Sequence, residues 1–231
     1  GYGTNVSFQA PLAAASCQEQ YWGTYRAGVF LMIFGMLQNP AYKSVSSDLV
    51  KILRRHQMPN GGWGDNSRTQ FALLGLKAAE DLGLAAPPDV YDRARKYMEA
   101  FQRADGGWNY NKTLTQEASY GSMTAAGITS LYICGLRLER GTSVCGQWAS
   151  DKRLADGLEW IARRFSVDVN QVHKNGMVFA NAWKHYYLYG LERIGMIMAK
   201  QSIGGHDWYR EGAAVLVNTQ QPDGAWPSYS A

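Results

Sequence analysis

Apolar residues in this chain recur at intervals of three and four, and no segment sustains a two-residue alternation. That period is helical, because positions three and four apart share one helix face, whereas a half-buried strand alternates. With cap and stop residues added, the pattern predicts eight helices, at 21–37, 47–57, 67–80, 89–102, 119–140, 151–165, 181–198 and 207–219. Ser47-Asp48 is a good cap ahead of Leu49, Val50, Ile52 and Leu53. Pro88 stands where a first-turn proline belongs, and Gly83 and Gly141 follow helix ends.

The helices alternate in character. Those opening at Tyr21, Ser67, Ser119 and Asn181 are apolar and Gly/Ala-rich almost all round, as buried helices are. Those opening at Ser47, Asp89, Asp151 and Asp207 carry charge on one face, which suits an outer layer. The pattern therefore predicts an all-α fold, an α/α toroid with inner and outer layers and about four hairpins, either an incomplete ring or a fragment of a larger one. Residues 1–20 read as an irregular N-terminal segment and 21–231 as the toroid domain.

Three segments share one string, Gln-x-x-(Asp/Asn)-Gly-(Gly/Ala)-Trp. They run from Gln57 to Trp63, from Gln102 to Trp108 and from Gln220 to Trp226, the first two starting 45 residues apart. Asp/Asn-Gly supplies a positive-φ turn at a helix end, over which the Trp can fold back while the Gln amide meets exposed backbone groups. The string reads as a structural clasp between hairpins, held by Gln57, Trp63, Gln102, Trp108, Gln220 and Trp226. Gly1-Tyr2-Gly3-Thr4-Asn5 echoes Gly62-Trp63-Gly64-Asp65-Asn66, and the chain starts without Met, so a piece of a larger repeat protein is expected.

Composition narrows the function classes. The 23 basic and 19 acidic residues leave a formal charge of +4, spread in pairs such as Arg54-Arg55 and Arg163-Arg164. A nucleic-acid face would concentrate that charge, so no nucleic-acid partner is expected. The longest apolar run, Ala27–Leu37, has 11 residues, so no transmembrane segment is expected and the chain reads as soluble, with its compartment, export included, left open. Cysteines 17, 134 and 145 show no CxxC spacing, and histidines 56, 173, 185 and 206 give no helical ligand pair. No metal and no cofactor are expected. Eight Trp and 14 Tyr point instead to packing anchors or an aromatic cavity.

The Gln-x-x-Asp-Gly-Gly-Trp strings resemble the QW-type repeats of squalene-hopene and oxidosqualene cyclases, and are similar to those of protein prenyltransferase β subunits. Asp65-Asn66-Ser67-Arg68-Thr69-Gln70 and Tyr186-Tyr187-Leu188-Tyr189-Gly190 also resemble bacterial prenyltransferase and squalene-oxidase-repeat proteins. The resemblance covers roughly 20–231 and implies a fold more than an activity. Class II cyclases protonate an alkene with Asp-x-Asp-Asp, and prenyltransferases hold zinc with Asp-x-Cys and His; neither string occurs here. Cys17-Gln18-Glu19-Gln20 resembles the Cys-x-Glu-Gln core of complement-type thioester domains, but Gln18 replaces their glycine, so a loop is the preferred reading.

In such a ring the inner-helix starts face one mouth, where N–H groups suit polar ligands. This makes Asp65, Asn66, Arg68, Gln70, Tyr120, Ser122, Trp183, His185, Tyr186, Tyr189, His206 and Asp207 candidate ligand-binding residues. Each has a plainer role open to it, Asp65, Asn66 and Asp207 as caps and the tyrosines as packing. Because His206 and Asp207 open an outer helix, they belong at the opposite end unless their loop folds inward. No catalytic residue is assigned. The expected function is a binding or scaffold module for a small molecule, glycan, lipid or segment of the parent protein. The alternative is an enzyme of the terpene cyclase/prenyltransferase or polysaccharide-processing type, with carboxylates drawn from Asp65, Glu117, Asp207 or Glu211.

Overall fold

The structure, a computed structural model, describes residues 23–111, 118–138, 151–170, 172–174, 177–179 and 181–227. The expectations for segment 1–20, Cys17–Gln20, Glu117 and Cys145 lie outside them. The fold is all-helical, with α1 (Thr24–Leu37), α2 (Lys43–His56), α3 (Asn66–Asp81), α4 (Pro88–Phe101), α5 (Gly121–Leu138), α6 (Lys152–Arg163), α7 (Lys184–Ile197) and α8 (Trp208–Thr219). A 3-10 turn, Pro40–Tyr42, precedes α2.

Three departures from the expected elements have local causes. Asn39 Oδ1 caps the 3-10 turn by accepting from the Ala41 N–H, so α2 begins four residues before Ser47. Trp183 has φ of 53°, outside the right-handed region, so α7 cannot begin at Asn181. An antiparallel pair, β1 (Val172–Lys174) and β2 (Met177–Phe179), sits in the link before α7, where no strand was expected.

Packing follows the alternation in helix character. α1 lies on α3, α3 on α5 and α5 on α7, while α2 packs on α1, α4 and α6 on α5, and α8 on α7. Glycines permit the close approach along this row. A Cβ on Gly28 would stand 2.3 Å from the Phe71 carbonyl oxygen, and one on Gly35 would stand 2.8 Å from that of Ala78. The two contacts advance together, so α1 and α3 point the same way. From Gly121 to Gly135 every residue of α5 is buried. It borders two apolar clusters, one among α1–α4 with Ile133 and Cys134, the other among α5–α8 with Tyr97, Met98 and Phe101.

The three Gln-to-Trp segments share one local geometry. Each Trp indole N–H donates back to its preceding helix, Trp63 to Leu53 O (2.7 Å), Trp108 to Met98 O (3.0 Å) and Trp226 to Leu216 O (2.8 Å). Each Gln Nε2 donates to the carbonyl four residues on, all at 2.8 Å. Gly61, Gly106 and Gly224 turn the chain at φ of 93°, 88° and 84°, which only glycine adopts freely. Asp105, the acidic member of the second turn, is raised by burial, but hydrogen bonds from Ser119, Trp160 and the Gly107 backbone outweigh that and hold its carboxyl below the usual range.

Candidate functional site

Asp65 caps α3 and gathers donors from that helix and from the Tyr110 loop. Its Oδ1 accepts from the Arg68 backbone N–H and from the Ser67 hydroxyl, both at 2.8 Å. Its Oδ2 accepts from the Tyr110 hydroxyl at 2.9 Å and lies 3.2 Å from Arg68 Nε. Asp65 is only 5% exposed, yet its partners Tyr110 and Arg68 reach solvent. From α1, the half-exposed Tyr25 shares a hydrogen bond with Ser67 and sets its ring edge-on to Phe71 at 5.3 Å.

α7 closes the other flank. The Tyr186 hydroxyl donates to Gln70 Oε1 at 2.6 Å, and Phe71 stacks on Tyr186 and Tyr189 at about 6 Å. Tyr189 donates weakly to Met32 Sδ of α1 at 3.8 Å and carries the Arg193 guanidinium 5.2 Å above its ring. Burial pushes the Tyr186 phenol well up, helped by the neighbouring charges of Tyr25, Asp65, Tyr120 and Tyr189. The Tyr110 phenol is pushed up to about 12 by burial and by its bond to Asp65. Gln70 itself is fully buried, with its Nε2 unpartnered among the described residues.

The candidates named from sequence therefore divide. Asp65 and Arg68 pair at the start of α3, Tyr186 and Tyr189 stack on Phe71 with Gln70 bonded to Tyr186, and Tyr120 is close enough to act on Tyr186; Tyr25 links the two groups through Ser67 and Phe71. Asn66 is buried as a strut, its amide donating to Met123 O (3.0 Å) and Asn109 O (3.4 Å). Ser122 is another, exchanging hydrogen bonds with Asn170 through its N–H and hydroxyl. Trp183 is exposed just ahead of α7, and His185 lies in that helix's first turn.

His206 and Asp207 sit apart, beyond the far end of α7. Asp207 caps α8 by accepting from the Arg210 N–H. His206 stacks on Phe165 at 4.3 Å and faces Glu211 at 3.2 Å. Their loop does not fold inward, because Trp208 anchors it by donating to Lys200 O at the α7 terminus.

Tyr25, Ser67 and Tyr110 are not among the candidate ligand-binding residues that the sequence suggests. Tyr110 had a signal: it stands two residues after Trp108, as Asp65 stands two after Trp63. Superposing the two strings puts Tyr110 at the position that Asp65 holds in the first.

No family model matches the chain. A stretch of 66 residues is 35% identical to (+)-kolavenyl diphosphate synthase of Herpetosiphon aurantiacus, covering 26% of this chain and 13% of that protein. The likeness is to a terpene cyclase-type enzyme. The chain thus spans about an eighth of that relative's length. No helix among the described residues is long and apolar enough to cross a membrane.

Proposed function

We propose that the chain is a helical repeat domain of the α/α-toroid kind, about four hairpins of an incomplete ring, acting as a binding module. The observation that carries the reading is the convergence of α1, α3, the Tyr110 loop and α7 on Asp65 and Phe71. The part-exposed Tyr25 and Tyr110 rings stand with the solvent-reaching Arg68 guanidinium, which the Asp65 carboxylate holds in place, and such a set can be stacked upon by, and donate to, a polyhydroxy ligand such as a glycan. A lipid tail or a segment of a larger parent protein fits the aromatic part but leaves the ionic part unused. The test is calorimetric titration with a panel of soluble oligosaccharides. A binder is expected whose affinity falls about ten- to a hundredfold in Arg68→Ala, the range for losing a hydrogen bond to a charged group. Binding that is untouched by Arg68→Ala and Tyr110→Phe would sink this site.

A second reading, a terpene cyclase-type enzyme, rests on the 66-residue likeness. It meets a chemical difficulty at Asp65, whose two oxygens already accept from Arg68, Ser67 and Tyr110, leaving no free position from which to hand over a proton. Conversion of a prenyl diphosphate by the pure chain, read by mass spectrometry and abolished in Asp65→Asn, would establish that reading instead.

A further inference from the structure

Tyr186 and Tyr187 are neighbours in sequence, but a helix turns about 100° per residue, so they face different ways. Tyr186 bonds to Gln70 on the Asp65 side. Tyr187 instead lines a cavity of about 310 Å³ between the start of α5, the end of α6 and the link that precedes β1. Gly121 makes room for its ring, because a Cβ there would stand 2.6 Å from Tyr187 Cε2.

Most polar groups in these walls are already bonded. Ser119 donates to Asp105 Oδ1 at 2.7 Å, and Trp160 Nε1 donates to Asp105 Oδ2 at 3.0 Å. Asn170 accepts from the Ser122 N–H and donates to Ser122 Oγ and Ala182 O. Two donors are left. The Tyr187 phenol oxygen accepts from the Ser166 backbone, but no described residue accepts its hydrogen. Tyr187 is 2% exposed, and burial pushes its phenol well up, so that hydrogen stays on the oxygen. The Arg164 guanidinium lies 4.7 Å above the Trp160 ring, and no carboxylate among the described residues pairs with it. A guanidinium held over an indole keeps its in-plane N–H groups free to donate.

We propose that this cavity binds a small organic carboxylate, with its anionic end against Arg164 and Tyr187 and its apolar body against Trp160 and Phe165. Among the described lining residues there is one cation and no carboxylate, which matches a single negative charge. A phosphate dianion would bring a second charge with nothing to pair it. The volume lies at the low end of small-molecule pockets, roughly 300–1,000 Å³, which suits a compact acid and not an oligosaccharide. The site is therefore separate from the one at Asp65, on another face of α7.

Calorimetric titration of the 231-residue chain with sodium phenylacetate tests this, beside phenylacetamide as its neutral match and inorganic phosphate as the other anion. Phenylacetate should bind at a single site. Phenylacetamide and phosphate should bind at least about tenfold more weakly, one lacking the charge and the other the apolar body. Arg164→Gln should weaken phenylacetate about tenfold or more, the range for losing a bond to a charged group, and because Arg164 reaches solvent the fold should stand. Tyr187→Phe, which keeps the ring, should weaken it about three- to tenfold, with helicity checked by circular dichroism. Absence of phenylacetate binding, or phosphate binding as tightly, overturns the proposal. So does binding that survives Arg164→Gln but falls in Arg68→Ala, which would put the acid beside Asp65 instead.

Discussion

Asp65 takes four donors while almost fully buried, and the nearest phenol shows the effect. Tyr110 ordinarily titrates at 10.0; burial first, and the bond and charge of Asp65 next, push it up to about 12. The folded chain holds this proton to higher pH than the unfolded one, so its contribution to stability is whole below pH 10. It is lost as pH climbs from about 10 to about 12. The difference between wild-type and Tyr110→Phe phenolate absorbance isolates this group. In Asp65→Asn its titration should move down toward 10, and a midpoint that stays at about 12 would show that burial alone sets it.

Helix existence was legible in the 3.6-residue period, and most ends were legible in caps: Asp65, Asp151 and Asp207 each accept from the first-turn N–H groups, and Pro88 opens α4. The ends that were missed depend on single backbone states, the Asn39 turn before α2 and the left-handed Trp183 before α7. β1 and β2, three residues each, are too short for a period to show. The glycines of the row helices were legible as composition, but which of them face a neighbour was not. Gly28→Ala puts a methyl 2.3 Å from a backbone oxygen that cannot swing aside, so it should destabilise by about 1–3 kcal/mol. Gly212→Ala, inside α8 with none of the described residues within 4 Å of the added Cβ, should stabilise by about 0.5–1 kcal/mol through helix propensity. Urea denaturation of the pair decides. Equal shifts would mean that close approach of α1 to α3 does not limit the fold.

At the scale of the whole molecule, the alternation of apolar and charged helices showed that α3 and α5 would be buried, α5 being the extreme case, but it misjudged α1, which is apolar almost all round yet exposes Val29, Ile33 and Met36. The arrangement across the row was not legible, because the bonds from Tyr186 to Gln70 and from Tyr189 to Met32 join residues 116 and 157 apart in sequence. The site was half legible for the same reason. Asp65, Arg68 and Gln70 lie in one stretch, whereas Tyr25 joins them only through tertiary packing.

Whether the two apolar clusters unfold together depends on α5, which serves both. Cys134 lies in that helix, fully buried beside Ile133 in the first cluster, and burial pushes its thiol well up. A thiol so placed reacts only when its surroundings open. If the molecule unfolds as one unit, labelling of Cys134 in rising urea, followed by peptide mass spectrometry, should track the loss of helicity by circular dichroism. Both halves pack on α5, so neither can leave without exposing apolar surface on the other, and a single transition is expected. Labelling that runs ahead of the helical signal would instead show α1–α4 peeling away while α5–α8 stays folded, and the clusters would then be separate cooperative units.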